Sequence, residues 1–362
     1  MGNKLEEARN IINEVDSQMA ELFVKRMRAA EMVYDHKKEY GLPIYDQKRE
    51  DAVIEKNVAL IEDVALKGYY IDYLKHMMSL SRAYQYRMQS GLKIAYSGVE
   101  GAFAHIAAGR IFPEGQRISY SDFKAAYNSV VNGESDVAVL PIENSYAGEV
   151  GQTMDLIFEG SLYINGIYEL EIHQNLLGVP SATVEDIKKV TSHPQALSQC
   201  HDYIQLRGFE TEEANNTALA AKTVAEQNDK SYGAIASIET AKLYGLKVIE
   251  PNINKSGENT TRFVVLSKVQ GNVPALSNTV LMLTVKHTAG SLANAVSIIA
   301  KYGYSMTALR SRPMRKQSWQ YYFYIEIDGT VNDENGQEML SELRKVCNQL
   351  KVAGTFAPHT EL

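Results

Sequence analysis

Leu5, Ala8, Ile12, Val15, Met19, Leu22, Arg26, Ala29 and Val33 recur at alternating steps of three and four residues. That spacing lines side chains up on one stripe of an α-helix. Tyr40-Gly41-Leu42-Pro43 ends the pattern, because glycine and proline interrupt helices. A second helix is predicted from Asp46, as its N-cap, to about Leu66. A third carries Ile71, Leu74, Met78, Ser81, Gln85 and Met88 on the same kind of stripe. Three helices of this length do not close easily into a compact single-chain bundle. Residues 4–90 are therefore expected to bury their stripes in an intertwined dimer.

From Leu92 the period changes. Short apolar runs alternate with helical stretches: Ile94-Ala95-Tyr96, Val137–Leu140, Val190-Thr191, Ala234–Ala236 and Phe263–Leu266. Several are followed at once by Ser, Asn, Thr or Gly, as at Ser97-Gly98, Asn144-Ser145, Ser192-His193 and Ser237. That pattern predicts α/β architecture with strand ends opening onto helix N-termini. Gly271–Ser277 reads as a linker. Beyond it come a strand at Thr279–Val285, a helix from about Ser291 to Tyr302, and strands at Thr307–Arg312 and Trp319–Asp328. A helix at Glu338–Gln349 and a strand at Val352–Phe356 complete the segment. The order βαββαβ predicts a ferredoxin-like sandwich.

A chain of 362 residues, 45% of them apolar, is long enough for two or three domains. The net charge of −7 leaves no segment basic enough for nucleic-acid binding. The two cysteines, Cys200 and Cys347, exclude a disulfide framework. The N-terminal residues hold no apolar signal region, and Glu6 stands where a myristoylation signal wants Ser or Thr. No apolar run approaches the roughly 20 residues that cross a bilayer. A soluble protein of the cytoplasm is expected, with no membrane partner, so the sequons at Asn215 and Asn259 carry no meaning for glycosylation.

The anomaly of the helical segment is polar residues on apolar stripes. Arg26 stands where the pattern asks for Leu, and burying an unpaired guanidinium is costly. Lys37, eleven residues on, shares its face roughly 16 Å along the axis. Ser81 and Gln85 sit one turn apart on the third stripe, and Asp46, Arg49 and Glu50 share a face. Surface ion pairs and a register device would account for any one of these. Together they suit a compact dicarboxylate.

In order and spacing, Arg9, Arg26, Lys37, Asp46, Arg49, Glu50, Ser81 and Gln85 resemble the all-helical chorismate mutase family, across almost all of residues 4–90. The resemblance implies rearrangement of chorismate to prephenate. Arg26, Arg49 and Arg9 of a second chain would hold the substrate's carboxylates, with Asp46 and Ser81 beside them. Lys37 and Gln85 would bond the ether oxygen, where negative charge grows, and Glu50 the substrate hydroxyl.

The α/β segment lacks Gly-x-Gly-x-x-Gly, Gly-Lys-Ser/Thr, His-Glu-x-x-His and Cys-x-x-Cys, so nucleotide and metal chemistry are not expected. What remains is a set of polar loops at strand ends: Pro141–Gly148, Ser192-His193-Pro194-Gln195, Asn215-Asn216-Thr217 and Thr260-Thr261-Arg262-Phe263. Hydroxyls and helix N-termini converging on a cleft bind anions without many cations. These pieces, with Ile94–Ala104 and Leu243-Tyr244-Gly245-Leu246, are similar to the prephenate dehydratase family over about residues 92–270. The resemblance implies two α/β lobes, similar to solute-binding proteins, and conversion of prephenate to phenylpyruvate with loss of carbon dioxide and water. It assigns assistance of the leaving hydroxyl to Thr261 and a carboxylate to Arg262. Glu143, Asn144 and Ser145 would line the cleft.

Residues 279–362 resemble an ACT domain, which implies an amino-acid effector, phenylalanine, held by Gly290, Ser291 and Leu292 at a helix start and by Ser311, Arg312 and Pro313 on a strand. Arg310 stands where that family's strand motif has a carboxylate, and Ser291 and Ala293 alter the pocket wall, so altered effector selectivity stays open. The expectation is a multidomain chain: a helical domain at 1–90, a two-lobed α/β domain at 92–270 and an α+β sandwich at 278–362. It would act on chorismate and prephenate without metal or cofactor, as a homodimer or larger homo-oligomer. Two alternatives stay open: a dehydratase whose helices serve only dimerisation or control, and a non-catalytic sensor of small anions.

Overall fold

The computed structural model describes residues 4–254, 259–314, 320–358 and 360–362, and its chain divides into two units, one ending at Leu92 and the other spanning Lys93–Leu362. In the first unit, α1 is Lys4–Glu39, α2 Gln47–Val58 and α3 Val64–Ser90. Helix α1 begins with Glu6 and Glu7 and ends with His36, Lys37 and Lys38, a charge order that complements the helix dipole. Gly41 then adopts φ +66°, a conformation that ordinary side chains rarely take. Asp46 caps α2 by accepting the Arg49 amide at 3.0 Å.

The second helix is shorter than its sequence suggests. It stops at Val58, and the stretch to Leu66 contains a new start, because Asp63 accepts the Ala65 amide at 2.8 Å and caps α3. Few apolar residues of this unit are buried within the single chain. Leu5, Ile12, Val15, Met19 and Leu22 of the α1 stripe are all exposed.

The second unit opens with β1 (Lys93–Ser97), α4 (Phe103–Ile111), β2 (Gln116–Tyr120), α5 (Phe123–Asn132), β3 (Val137–Asn144), β4 (Gly148–Glu149), α6 (Gly151–Glu159) and β5 (Tyr163–Glu171). The chain then builds a second lobe: β6 (Asn175–Gly178), β7 (Lys189–Ser192), α7 (Pro194–Gln199), α8 (His201–Arg207), β8 (Glu210–Glu213), α9 (Thr217–Gln227), β9 (Tyr232–Ala236), α10 (Ile238–Tyr244) and β10 (Lys247–Glu250). It returns through β11 (Thr260–Ser267) to the first sheet, which the C-terminal β16 (Thr360–Glu361) completes in the order β16-β5-β11-β3-β1-β2 with β4 on β3. The second sheet runs β10-β6-β9-β7-β8. Two crossings, one after β5 and one before β11, therefore join the lobes. Strand β5 and several edge strands carry no apolar run strong enough to be foreseen in the sequence.

The last part is β12 (Asn278–Val285), α11 (Ser291–Lys301), β13 (Met306–Pro313), β14 (Tyr321–Asp328), α12 (Glu334–Val346), β15 (Cys347–Phe356) and the short β16 (Thr360–Glu361). Its sheet order, β13-β14-β12-β15, is that of a ferredoxin-like sandwich. Trp319, expected in β14, lies outside the described residues. Helix α12 begins earlier than expected because Asp333 accepts the Gly336 amide, and it yields at Cys347 because β15 pairs along the whole of β12.

One face of this sheet packs on α11 and α12 through Leu281, Leu283, Ile325, Ile327 and Met339. Its other face gives Val280, Met282, Tyr322, Tyr324 and Phe356 to a core shared with Leu140, Ile164 and Val264 of the first lobe. Gly354 marks the approach, since a Cβ there would stand 2.1 Å from the Ile164 carbonyl oxygen. The 271–277 segment thus joins two parts of one packed body. Among the described residues no helix is long and apolar enough to cross a membrane.

Candidate active sites

In the helical unit a cavity of about 160 Å³ gathers Arg26, Lys37, Asp46, Arg49, Glu50, Ser81 and Gln85 from all three helices. Arg26 Nη1 donates to Ser81 Oγ and, at 3.3 Å, to the Met77 carbonyl. Lys37 Nζ donates to the Ile44 carbonyl at 2.5 Å. Gln85 is buried, and its Oε1 finds no hydrogen-bond partner among the described residues. Asp46 lines the cavity while capping α2, which holds Arg49 and Glu50 in register.

Arg82 is the residue that stripe reasoning missed. It lines the cavity and forms a salt bridge with Glu50, one position off the Ser81 stripe. Four cations against two carboxylates leave the wall net positive, as a dianion requires. Arg9 lies on the exposed part of α1 and is not among the residues around this cavity.

In the second unit a cavity of about 170 Å³ opens between the lobes, lined by the first turn of α4, by α7, by the start of α9 and by both crossings. Asn144 ends β3 and Thr261 stands opposite it on β11. The Asn144 amide is fixed by its neighbours. Its Oδ1 accepts the backbone amides of Tyr146 at 3.1 Å and Ala147 at 2.8 Å, and Gln195 Nε2 at 3.1 Å. Its Nδ2 therefore faces Thr261 Oγ1 and Asn259 Oδ1, both at 2.9 Å.

An amide nitrogen can only donate, so Thr261 oxygen is the acceptor. The Thr261 hydroxyl hydrogen then has no acceptor among the described residues and is available to the cavity.

Among the described residues, none that lines this cavity carries a formal Lys, Arg, Asp or Glu charge. Negative charge would instead meet the amide end of α9, capped by Asn216 Oδ1 on the Leu219 amide at 2.7 Å, and that of α4, whose cap Ala102 makes no side-chain hydrogen bond. His193 caps α7 through Nδ1 and also lines the cavity. Gln174, Gln199 and Asn259 line it too and were not foreseen. The one sequence signal for Gln199 is its place a turn beyond Gln195.

Three expected cleft residues are placed differently. Successive strand residues point to opposite faces, so Glu143 and Arg262, next to Asn144 and Thr261, project from the back of the sheet. There Arg262 pairs with Glu143, Glu169 and the fully buried Glu326. Burial works against this cation, but Glu326 and its neighbours push the Arg262 pKa up. Ser145 closes the strand end by exchanging hydrogen bonds with Thr260. Glu143, Ser145 and Arg262 are therefore corrections: none lines the cavity.

In the C-terminal sandwich, Gly290 caps α11 at φ +80° and Ser291 Oγ lies 2.7 Å from Thr288 Oγ1, with Leu292 next along the helix. Ser311 and Pro313 lie on the exposed side of edge strand β13. Arg312 points the other way, with Nη2 3.6 Å from Asp155 of α6, so it does not share their face. Arg310 likewise turns inward, to Glu143 and Glu149.

Comparison with known proteins gives two family matches: Chorismate mutase type II over residues 8–86 and Prephenate dehydratase over residues 94–271. A Bifunctional chorismate mutase/prephenate dehydratase of Aquifex aeolicus (strain VF5) is 30% identical, covering 98% of this chain and 98% of that one. Arogenate dehydratase 2 of Petunia hybrida is 32% identical over 74% of this chain and 72% of its own. Among solved structures, a prephenate dehydratase from Arthrobacter aurescens in complex with L-Phe is similar at a TM-score of 0.68. It is 25% identical, covering 74% of this chain and 90% of that one.

Proposed function

The chain belongs to the bifunctional chorismate mutase/prephenate dehydratase family, and from that premise we infer that it carries chorismate to prephenate and prephenate to phenylpyruvate at two separate sites. The observation that carries this reading is the presence of two chemically different cavities in one chain. One is cationic and built on helices; the other lies between α/β lobes and has no formal charge among its described lining residues.

In the first, Arg26 and Arg49 hold the carboxylates of chorismate, while Lys37 and Gln85 face the ether oxygen as its bond breaks. Glu50 bonds the substrate hydroxyl. The rearrangement is pericyclic, so no side chain need form a covalent bond or transfer a proton, and stabilising the developing charge is the main task. The exposed α1 stripe supports a second copy of the chain as its cover, which would bring that copy's Arg9 to the site.

In the second, aromatisation of the ring drives loss of carbon dioxide, and the departing hydroxyl needs a proton or a strong donor. Thr261 supplies the donor: its oxygen accepts from Asn144 Nδ2, and its hydrogen is left for the departing hydroxyl. A threonine hydroxyl is a weak acid, so it acts by hydrogen bonding in the transition state. The helix N-termini of α4 and α9 hold the carboxylates.

The C-terminal sandwich serves as an ACT-type sensor, and phenylalanine is its effector; the L-Phe complex of the similar dehydratase supports this. A soluble cytoplasmic homodimer or larger homo-oligomer completes the proposal. Phenylpyruvate formation from each substrate by the purified protein tests the catalytic reading. Titration of the prephenate reaction with phenylalanine tests the regulatory one. A rate unchanged at saturating phenylalanine would remove it as effector.

A further inference from the structure

Glu143 and Glu149 face each other directly across the β3–β4 hairpin. Like charges in that position repel and spread a hairpin. Here one guanidinium spans them: Arg310 Nη2 donates to Glu143 Oε1 at 2.6 Å, and Arg310 Nε lies 3.3 Å from Glu149 Oε1. The arginine comes from β13 of the C-terminal sandwich, the two carboxylates from the first lobe. The hairpin it closes contains Tyr146 and Ala147, whose amides hold Asn144 Oδ1. Asn144 in turn orients Thr261.

On the far side of Glu143, Arg262 Nη1 donates to its other oxygen at 3.2 Å, and Arg262 Nη2 donates to both oxygens of Glu326 at 3.2 and 3.0 Å. A β-bulge follows Arg262 in the β11–β3 pairing, where a strand can re-aim its side chains.

We propose that Arg310 is a positioning residue of the dehydratase: by bridging Glu143 and Glu149 it holds the hairpin that fixes the Asn144 amide and, through it, the Thr261 hydroxyl. The proposal rests on the reading that Thr261 and Asn144 serve dehydration. It makes the C-terminal sandwich part of the positioning machinery of that site, because the clamp on the hairpin belongs to the sensor strand. Ser311 and Pro313 lie on the opposite face of the same strand, so a ligand there would act one residue from the clamp.

The test uses the full chain. Arg310→Gln is expected to lower kcat with prephenate about tenfold while KM stays within about twofold, as a misplaced catalytic group does without loss of binding. Its chorismate mutase kcat should equal that of the wild type, and its thermal midpoint should stay within a few degrees. Adding Glu149→Gln removes the like-charge repulsion and should restore kcat to within about threefold of the wild type. A simple stability defect would lower the midpoint and leave the kcat of folded molecules intact.

A kcat within twofold of wild type for Arg310→Gln, or no rescue by Glu149→Gln, overturns the proposal. Should Arg310→Gln not fold, Arg310→Lys keeps one bond of the bridge; a two- to fivefold loss of kcat supports the proposal and an unchanged kcat overturns it. Wild-type protein that makes no phenylpyruvate from prephenate overturns the underlying dehydratase reading as well.

Discussion

Asn144 Nδ2 donates to Thr261 Oγ1 at 2.9 Å across two antiparallel strands, and that bond orients the threonine hydroxyl. The bond takes one of the oxygen's two lone pairs and leaves the hydroxyl hydrogen to be offered to the cavity.

Thr261→Ala is therefore expected to lower dehydratase kcat by about a hundredfold or more, the scale for losing one preorganised donor. Thr261→Ser, which keeps the hydroxyl, should retain most of the rate. Calorimetry should find prephenate binding to the alanine variant nearly unchanged. Wild-type kcat in Thr261→Ala would remove this residue from the mechanism.

Lys37→Ala should lower mutase kcat by about a hundredfold or more and leave phenylpyruvate formation from prephenate within about twofold. The described lining of the cavity that contains Lys37 comes from α1–α3 and the loop joining α1 to α2. Equal loss of both activities in a folded variant would contradict separate sites.

Asn216→Ala removes the side-chain cap of α9, whose first turn lines the cavity between the lobes. The loss should cost about 1 kcal/mol of stability and raise the KM for prephenate several-fold, because the amide end of the helix loses its alignment. A variant with reduced stability and unchanged KM would show that this helix end does not touch substrate.

How much of this could be read from sequence depended on the scale of the signal. The residues of the helical cavity were legible because Arg26, Ser81 and Gln85 interrupt long apolar stripes, and a helix keeps residues of one stripe on one face. Arg82 was not, since it sits one position off the stripe and reaches the cavity by its length. The neighbouring pairs Glu143-Asn144 and Thr261-Arg262 read as continuous motifs, but strand alternation sends one member of each to the cavity and the other to the back of the sheet. The α2 end was misplaced because Asp63 can either continue a helix or cap the next, and only packing chooses. Gln174 and Asn259 belong to the crossings between lobes, and no local pattern announces that two such segments meet.

Lys351 gives a pH dependence of fixed sign. Burial depresses its pKa from 10.5 to about 8, while Nζ donates to the carbonyls of Ile157 and, at 2.7 Å, Gly160 at the end of α6. Between about pH 8 and 10.5 the unfolded chain holds this proton and the folded chain does not, so this group makes folding more favourable as pH rises through that window. Below about pH 8 both states are protonated and the contribution is flat. Denaturant unfolding of wild type and Lys351→Met across this range should show the difference in stability moving in favour of wild type as pH rises. Parallel curves would contradict the depressed pKa.

Two independent catalytic sites that act in sequence on one chain make phenylpyruvate formation by the purified protein the decisive experiment, with chorismate in one cuvette and prephenate in another. Product from both, faster than the spontaneous controls, is the predicted result. Product from prephenate alone would contradict catalysis in the helical unit, and product from neither would contradict both sites.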